Sequence, residues 1–233
     1  MNFTTLATDL LRLIYPSVCP GCSRYPQSED ALFCLACREV LPFSHTSLVP
    51  KQNRLICLFE GEYYVEIGIA LFAMDIDSIV EHCIKELKYN HRPEVGIGLG
   101  ELFAEYYQGL LIAEKIDVFI PVPLHRTKLI ARGYNQAEEI CKGISKRTEI
   151  AINSTSLKRS KKTKTQTQKS KSKRLKSLNN AFHLVSSHDL KGKHVLLIDD
   201  VITTGATLLG CIQALSDVED IKISVACIAL PVE

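Results

Sequence analysis

Two adjacent carboxylates, Asp199 and Asp200, follow the apolar run Val195-Leu196-Leu197-Ile198 and come just before Thr203-Thr204-Gly205-Ala206-Thr207. Such a pair can accept hydrogen bonds from the vicinal hydroxyls of a ribose, and its hard oxygens can hold Mg²⁺ directly or through water. Threonine hydroxyls and successive backbone N–H groups at the start of a helix can wrap a phosphate monoester. Gly205 lets the main chain come close to the anion, because no Cβ intervenes. The helix is signalled by Leu208, Leu209, Ile212 and Leu215 at i, i+1, i+4 and i+7. Acid pairs also occur in solvated turns. Here acids, loop and helix arrive together after a buried-type strand, and that context gives the pattern its meaning. The segment suits a phosphorylated sugar.

A second segment supplies positive charge. Val118-Phe119-Ile120-Pro121-Val122 reads as a buried strand, and the loop Leu124 to Tyr134 after it contains Arg126, Lys128, Arg132 and Gly133. These three cations could contact a pyrophosphate group, arginine in bidentate fashion. A solvated basic turn would have the same composition, but its place one crossover before the acid pair favours a ligand role. His125 stays ambiguous between a ligand role and the exposed position usual for a lone loop histidine.

A third set is metal-binding in type. Cys19-Pro20-Gly21-Cys22 and Cys34-Leu35-Ala36-Cys37 form two tight pairs separated by eleven residues. Paired Cys-x-x-Cys knuckles can place four thiolates, Cys19, Cys22, Cys34 and Cys37, around a tetrahedral structural Zn²⁺. Disulfides fit badly with a chain that shows no export signal, and a redox Cys-x-x-Cys would explain only one pair. The lone cysteines Cys57, Cys83, Cys141, Cys211 and Cys227 sit among apolar neighbours, and most of them read as small core residues.

The elements that must position these groups are those of an α/β protein. At 233 residues, 46% hydrophobic and 23% charged, the chain can hold one sizeable domain and a small appendage. No run approaches the ~20 apolar residues that span a bilayer, so membrane insertion is not expected. Phe3 to Ile14 reads as an amphipathic helix with Asp9 inside it and no basic start, a poor signal peptide. A cytoplasmic protein is expected. Residues 1–54 are read as that helix, the four-cysteine module and a linker, and 55–233 as the main domain. In the main domain, Leu55 to Phe59 reads as a strand. Helices follow over Ile79 to Leu87, from Pro93 towards Tyr107, and through Ala137 to Ile144. The strand His194–Ile198, the phosphate-loop helix and the strand Ile223–Leu230 complete it. Alternating strands and helices imply a mainly parallel sheet flanked by helices, with right-handed crossovers. Ligands in such sheets gather outside the carboxyl ends of the strands.

Charge is unevenly distributed. No acid occurs from Ala151 to His188, and ten Lys/Arg fall between Leu157 and Lys176, among them Arg159, Lys161, Lys162, Lys164 and Arg174. Ten such charges in a chain of net charge +2 leave −8 for the rest. Residues 157–177 therefore read as a lid over bound phosphates, an electrostatic strip for nucleic acid, or a solvated loop.

The acid–threonine segment closely resembles the binding motif for 5-phosphoribosyl-1-pyrophosphate (PRPP) of type I phosphoribosyltransferases, and the chain as a whole resembles the ComF family. The matching features are the two cysteine knuckles, Leu87-Lys88-Tyr89, Pro121-Val122-Pro123-Leu124, Arg132-Gly133-Tyr134-Asn135-Gln136 and Asp199 to Thr207. Arg159, Thr163, Gln166, Arg174, Ala181 and Phe182 keep the family spacing between them. The resemblance implies a type I phosphoribosyltransferase fold with a zinc-ribbon-like N-terminal module, and an association with DNA uptake in natural competence. It implies PRPP as ligand, Asp199 and Asp200 as catalytic residues, and Mg²⁺ and Zn²⁺ as cofactors. The expected reaction is phosphoribosyl transfer to an amine or base. The alternative is a non-enzymatic competence factor that binds single-stranded DNA, a competence-machinery helicase or another protein.

Overall fold

The computed structural model describes residues 18–26, 31–159 and 181–232. The expected helix over Phe3 to Ile14 lies outside them, as do Lys161, Lys162, Lys164 and Arg174.

The sheet has five strands: β1 (Gly68–Met74), β2 (Val118–Pro121), β3 (Ala151–Ile152), β6 (His194–Val201) and β7 (Lys222–Pro231). They are ordered β1-β7-β6-β2-β3 and every pairing is parallel. A separate antiparallel ribbon pairs β4 (Leu157–Arg159) with β5 (Phe182–Leu184). The helices are α1 (Leu35–Glu39), α2 (Arg54–Cys57), α3 (Ile79–Tyr89), α4 (Pro93–Ala113), α5 (Arg126–Arg132), α6 (Gln136–Thr148) and α7 (Ala206–Leu215). No helix among the described residues is long and apolar enough to cross a membrane.

Strands β1, β2, β6 and β7 are buried on both faces along most of their length, so they read as apolar runs without alternation. Strand geometry still sends successive side chains to opposite sides. Leu196 and Ile198 join one core with α3, α4 and α6, whereas Val195 and Leu197 join a second with α7 and the β4–β5 ribbon. This alternation fixes where the acids at the end of β6 point. The other end of β6 is pinned by His194. Its Nδ1 donates to the Glu114 carbonyl (2.8 Å), and its Nε2 lies 2.7 Å from Ser224 Oγ.

Helices α4 and α6 cross at backbone contact. A Cβ on Gly100 would sit 2.1 Å from the Ile140 carbonyl oxygen, and one on Gly143 would sit 2.0 Å from that of Ile97. The four-cysteine segment packs onto the same layer. Cys19, Phe33, Cys34 and Cys37 share a core with Val80, Cys83 and Ile84 of α3, and Arg92 Nη2 donates to the Val18 carbonyl at 2.9 Å.

Two expectations are corrected. Leu55 to Phe59 is not a strand: Asn53 caps a short helix by accepting from the N–H groups of Leu55 and Ile56, and the edge strand is β1. The stretch Leu124 to Tyr134 is not only loop, for it contains α5, capped by His125 Nδ1 accepting from the Thr127 N–H. Gly133 ends that helix at φ +82°, in the left-handed region glycine supplies at the helix end. Most of the lone cysteines are core residues, as expected: Cys83, Cys141, Cys211 and Cys227 are buried and Cys57 is exposed.

Candidate functional site

Strand β6 delivers Asp199 and Asp200 to its carboxyl end. The chain then turns through Ile202, Thr203 and Thr204 to Gly205, whose φ of +69° opens α7 without a side-chain cap. The first N–H groups of a helix have no intrahelical partner and carry its positive end. Asp199, Thr203, Thr204, Gly205, Ala206 and Thr207 line one small, open recess. Thr203 and Thr204 are exposed and Gly205 is buried. Leu58 and Phe59 back the loop: a Cβ on Gly205 would meet Leu58 Cβ at 3.1 Å and Phe59 Cε1 at 3.3 Å.

The two acids lie in different surroundings because they point to opposite faces. Asp199 extends the Val195–Leu197 side, and its Oδ1 accepts from the Asp200 N–H at 2.8 Å. Burial, then the neighbouring Asp200 charge, pushes the Asp199 carboxyl up to about 7. Asp200 extends the Leu196–Ile198 side, towards α3. There Lys88 Nζ lies 3.0 Å from its Oδ1, and both side chains are largely withdrawn from solvent.

Strand β2 neighbours β6, with Pro121 paired to Ile198, so α5 begins beside the acids. Lys128 is held below the ordinary lysine range first by partial desolvation, then by the positive charges of Arg132, Arg159 and Lys88. Those four cations therefore share one region with the acid pair. Arg126 is exposed at the start of α5. Arg132 is tied into the protein: its Nη1 donates to Gln136 Oε1 at 2.8 Å, and its guanidinium lies 5.6 Å from the Tyr89 ring centroid. Arg159, at the end of β4, stacks over Phe182 at 5.1 Å, and its charge acts on Asp199. Of the basic residues between Leu157 and Lys176, Lys158 and Arg159 lie among the described residues; the others do not.

Sequence reasoning gave Lys88 no part in the site. It stood in the Leu87-Lys88-Tyr89 match, but its pairing with Asp200 follows only from the sheet order and the side-chain alternation along β6.

The donor set at the acid pair suits Mg²⁺, a hard cation that takes carboxylate and water oxygens. The four-cysteine set suits Zn²⁺. The sulfur atoms of Cys19, Cys22, Cys34 and Cys37 all lie within 4.8 Å of one another, with Cys22 and Cys34 at 3.6 Å. Tetrahedral thiolates at the usual Zn–S length would be about 3.8 Å apart, whereas a disulfide requires ~2.05 Å. The backbone of Cys37 favours the Cys34 thiolate most, bringing that thiol down to about 7.

Comparison with known proteins gives a consistent picture. Residues 87–231 match the family described as phosphoribosyl transferase domain. The chain is 27% identical over 212 residues to DNA utilization protein YhgH of Escherichia coli K12, covering 88% of this chain and 86% of that protein. It is 42% identical over 93 residues to competence protein F of Haemophilus influenzae, covering 40% and 41% of the two chains. With competence protein ComFC of Bacillus subtilis the identity is 25% over 201 residues, covering 85% and 71%.

Proposed function

Because the chain belongs to the phosphoribosyl transferase domain family, and within it to the ComF proteins, we propose that the cleft at the ends of β2 and β6 binds PRPP. In this reading it transfers the phosphoribosyl group to an amine or base nitrogen. One observation carries the proposal: the acid pair and the Thr/Gly loop share a strand end, with Lys88, Lys128, Arg132 and Arg159 around them.

In this reading the loop Thr203 to Thr207 holds the 5-phosphate through N–H groups and threonine hydroxyls. Asp199 and Asp200 accept from the ribose hydroxyls and fix the ring. Arg126, Lys128 and Arg132 hold the pyrophosphate and offset the charge that grows on it as the bond to C1 breaks. Mg²⁺, held by the acid pair, would supply further charge neutralisation to the departing group. The anomeric carbon passes to the incoming nitrogen, whose proton leaves afterwards. The four thiolates would hold Zn²⁺ with no open position, a folding element rather than a reaction centre. Reduced thiols of this kind fit a cytoplasmic protein.

A second reading, binding of single-stranded DNA or a protein partner through residues 157–177, is favoured by the relatives' names and by the concentrated positive charge. Phosphorus NMR of PRPP with Mg²⁺ and candidate amines or bases, beside oligonucleotide binding at two salt concentrations, separates the two. Pyrophosphate release that depends on an acceptor is expected. Binding of DNA alone, with PRPP left intact and unbound, would reject the enzyme.

A further inference from the structure

Resting on the reading of the cleft as a PRPP site, we propose that Lys88 is a ligand-contacting cation of that site. It pairs with Asp200 and directs its remaining donors to the pyrophosphate group of the bound sugar.

Val80, Cys83, Ile84 and Leu87 form the buried face of α3, and Lys88 follows at the edge of that stripe. The helix end is braced on three sides. Tyr134 donates its hydroxyl to the Leu87 carbonyl (2.6 Å), His91 Nδ1 lies 3.2 Å from the Arg132 carbonyl oxygen, and Arg132 stacks on Tyr89. Every brace lands on the segment that runs from α5 into α6, the segment carrying Lys128. Lys88 thus stands where the α5 cations and Asp200 meet, and its ammonium contacts Asp200 Oδ1 at 3.0 Å.

An ammonium offers three donors and no acceptor. Asp200 can accept from a ribose hydroxyl while Lys88 stays on its Oδ1, and the ammonium then has further donors to offer a ligand. An anion meets those donors with both an acceptor and the opposite charge, which a partly buried cation favours. The 5-phosphate does not serve, because the Thr203–Thr207 recess opens on the Asp199 side of β6. The pyrophosphate would lie on the Lys88 side, beside Lys128, whose ammonium already feels the Lys88 charge. The lysine would therefore distinguish a 1-pyrophosphorylated sugar from one that lacks that group.

The test is a pair of titrations with Mg²⁺ present, PRPP and ribose 5-phosphate, on wild type, Lys88→Met, Lys88→Gln and Lys88→Arg. Losing one charge-assisted hydrogen bond should weaken PRPP about 10- to 100-fold in the Met and Gln variants. Ribose 5-phosphate should bind unchanged or slightly more tightly, which also reports a folded site. Arginine should recover part of the PRPP loss. Equal weakening of both ligands would show that Lys88 merely positions Asp200, and an unchanged PRPP affinity would remove it from the site; either overturns the inference. If wild type binds ribose 5-phosphate but not PRPP, the inference is likewise overturned. Wild type that binds neither sugar would instead reject the PRPP reading itself.

Discussion

Replacing Asp199 with asparagine should stabilise the protein, and by a margin that grows with pH. In the folded chain burial and the Asp200 charge raise this carboxyl from 3.8 to about 7. In the unfolded chain it ionises at its ordinary value. Between those limits unfolding releases a proton, so wild-type stability falls as pH rises through the window and levels off above about 7. Asparagine is neutral throughout, and its Oδ1 can still accept from the Asp200 N–H. A tenfold change in proton affinity is worth about 1.4 kcal/mol, so the ceiling on the gain is about 4 kcal/mol. Roughly 2–3 kcal/mol of it should accrue between about pH 5 and pH 8. For a chain of this size that is about 5–10 °C in melting temperature. Thermal melts of both proteins across that range supply the assay. Titrating groups away from the pair are common to the two and cancel in the difference; Asp200 does not, because it loses the repulsion of the Asp199 charge in the variant. Parallel curves would show that Asp199 ionises as an ordinary exposed acid. A variant less stable at every pH would make the carboxylate a structural support. A widening gap, with ligand binding lost, is the signature of an acid kept for function at the expense of stability.

Other consequences concern metal and backbone. Purified protein should carry about one zinc per chain by elemental analysis, and Cys19→Ser or Cys37→Ser should impair folding more than ligand binding in the fraction that folds. Gly100→Ala should cost about 3 kcal/mol or more in chemical denaturation, because its Cβ would meet the Ile140 carbonyl at 2.1 Å. Gly109→Ala, on the same helix with nothing within 4 Å, should instead stabilise by up to about 1 kcal/mol. Gly205→Ala should cost about 1–2 kcal/mol from its left-handed backbone and the close Leu58 Cβ, and should weaken sugar-phosphate binding as seen by titration calorimetry.

The parts of this fold that sequence exposes are those with local chemistry. The acid pair, the Thr/Gly loop and α7 announce themselves within one segment, Pro93 marks the first turn of α4, and the knuckle spacing brings four sulfurs together. Strand β1 was hidden because parallel strands buried on both faces show no alternation, and Leu55 to Phe59 looked equally strand-like. What separates them is Asn53, whose side chain caps a helix at the second. Helix α5 was hidden by its cationic surface, although His125 and Gly133 sit at its two ends. The Lys88–Asp200 pair could not be read locally at all. It requires knowing that β6 sends alternate residues to opposite faces and that α3 covers the Asp200 face.

The most direct test of the central claim is calorimetric titration of PRPP with Mg²⁺ into wild type and the Asp199→Asn/Asp200→Asn double variant. Saturable one-to-one binding by wild type, lost in a variant that melts normally, is the expected result. Equal binding by both proteins, or none by wild type, would contradict the assignment of the β6 acids to the ribose.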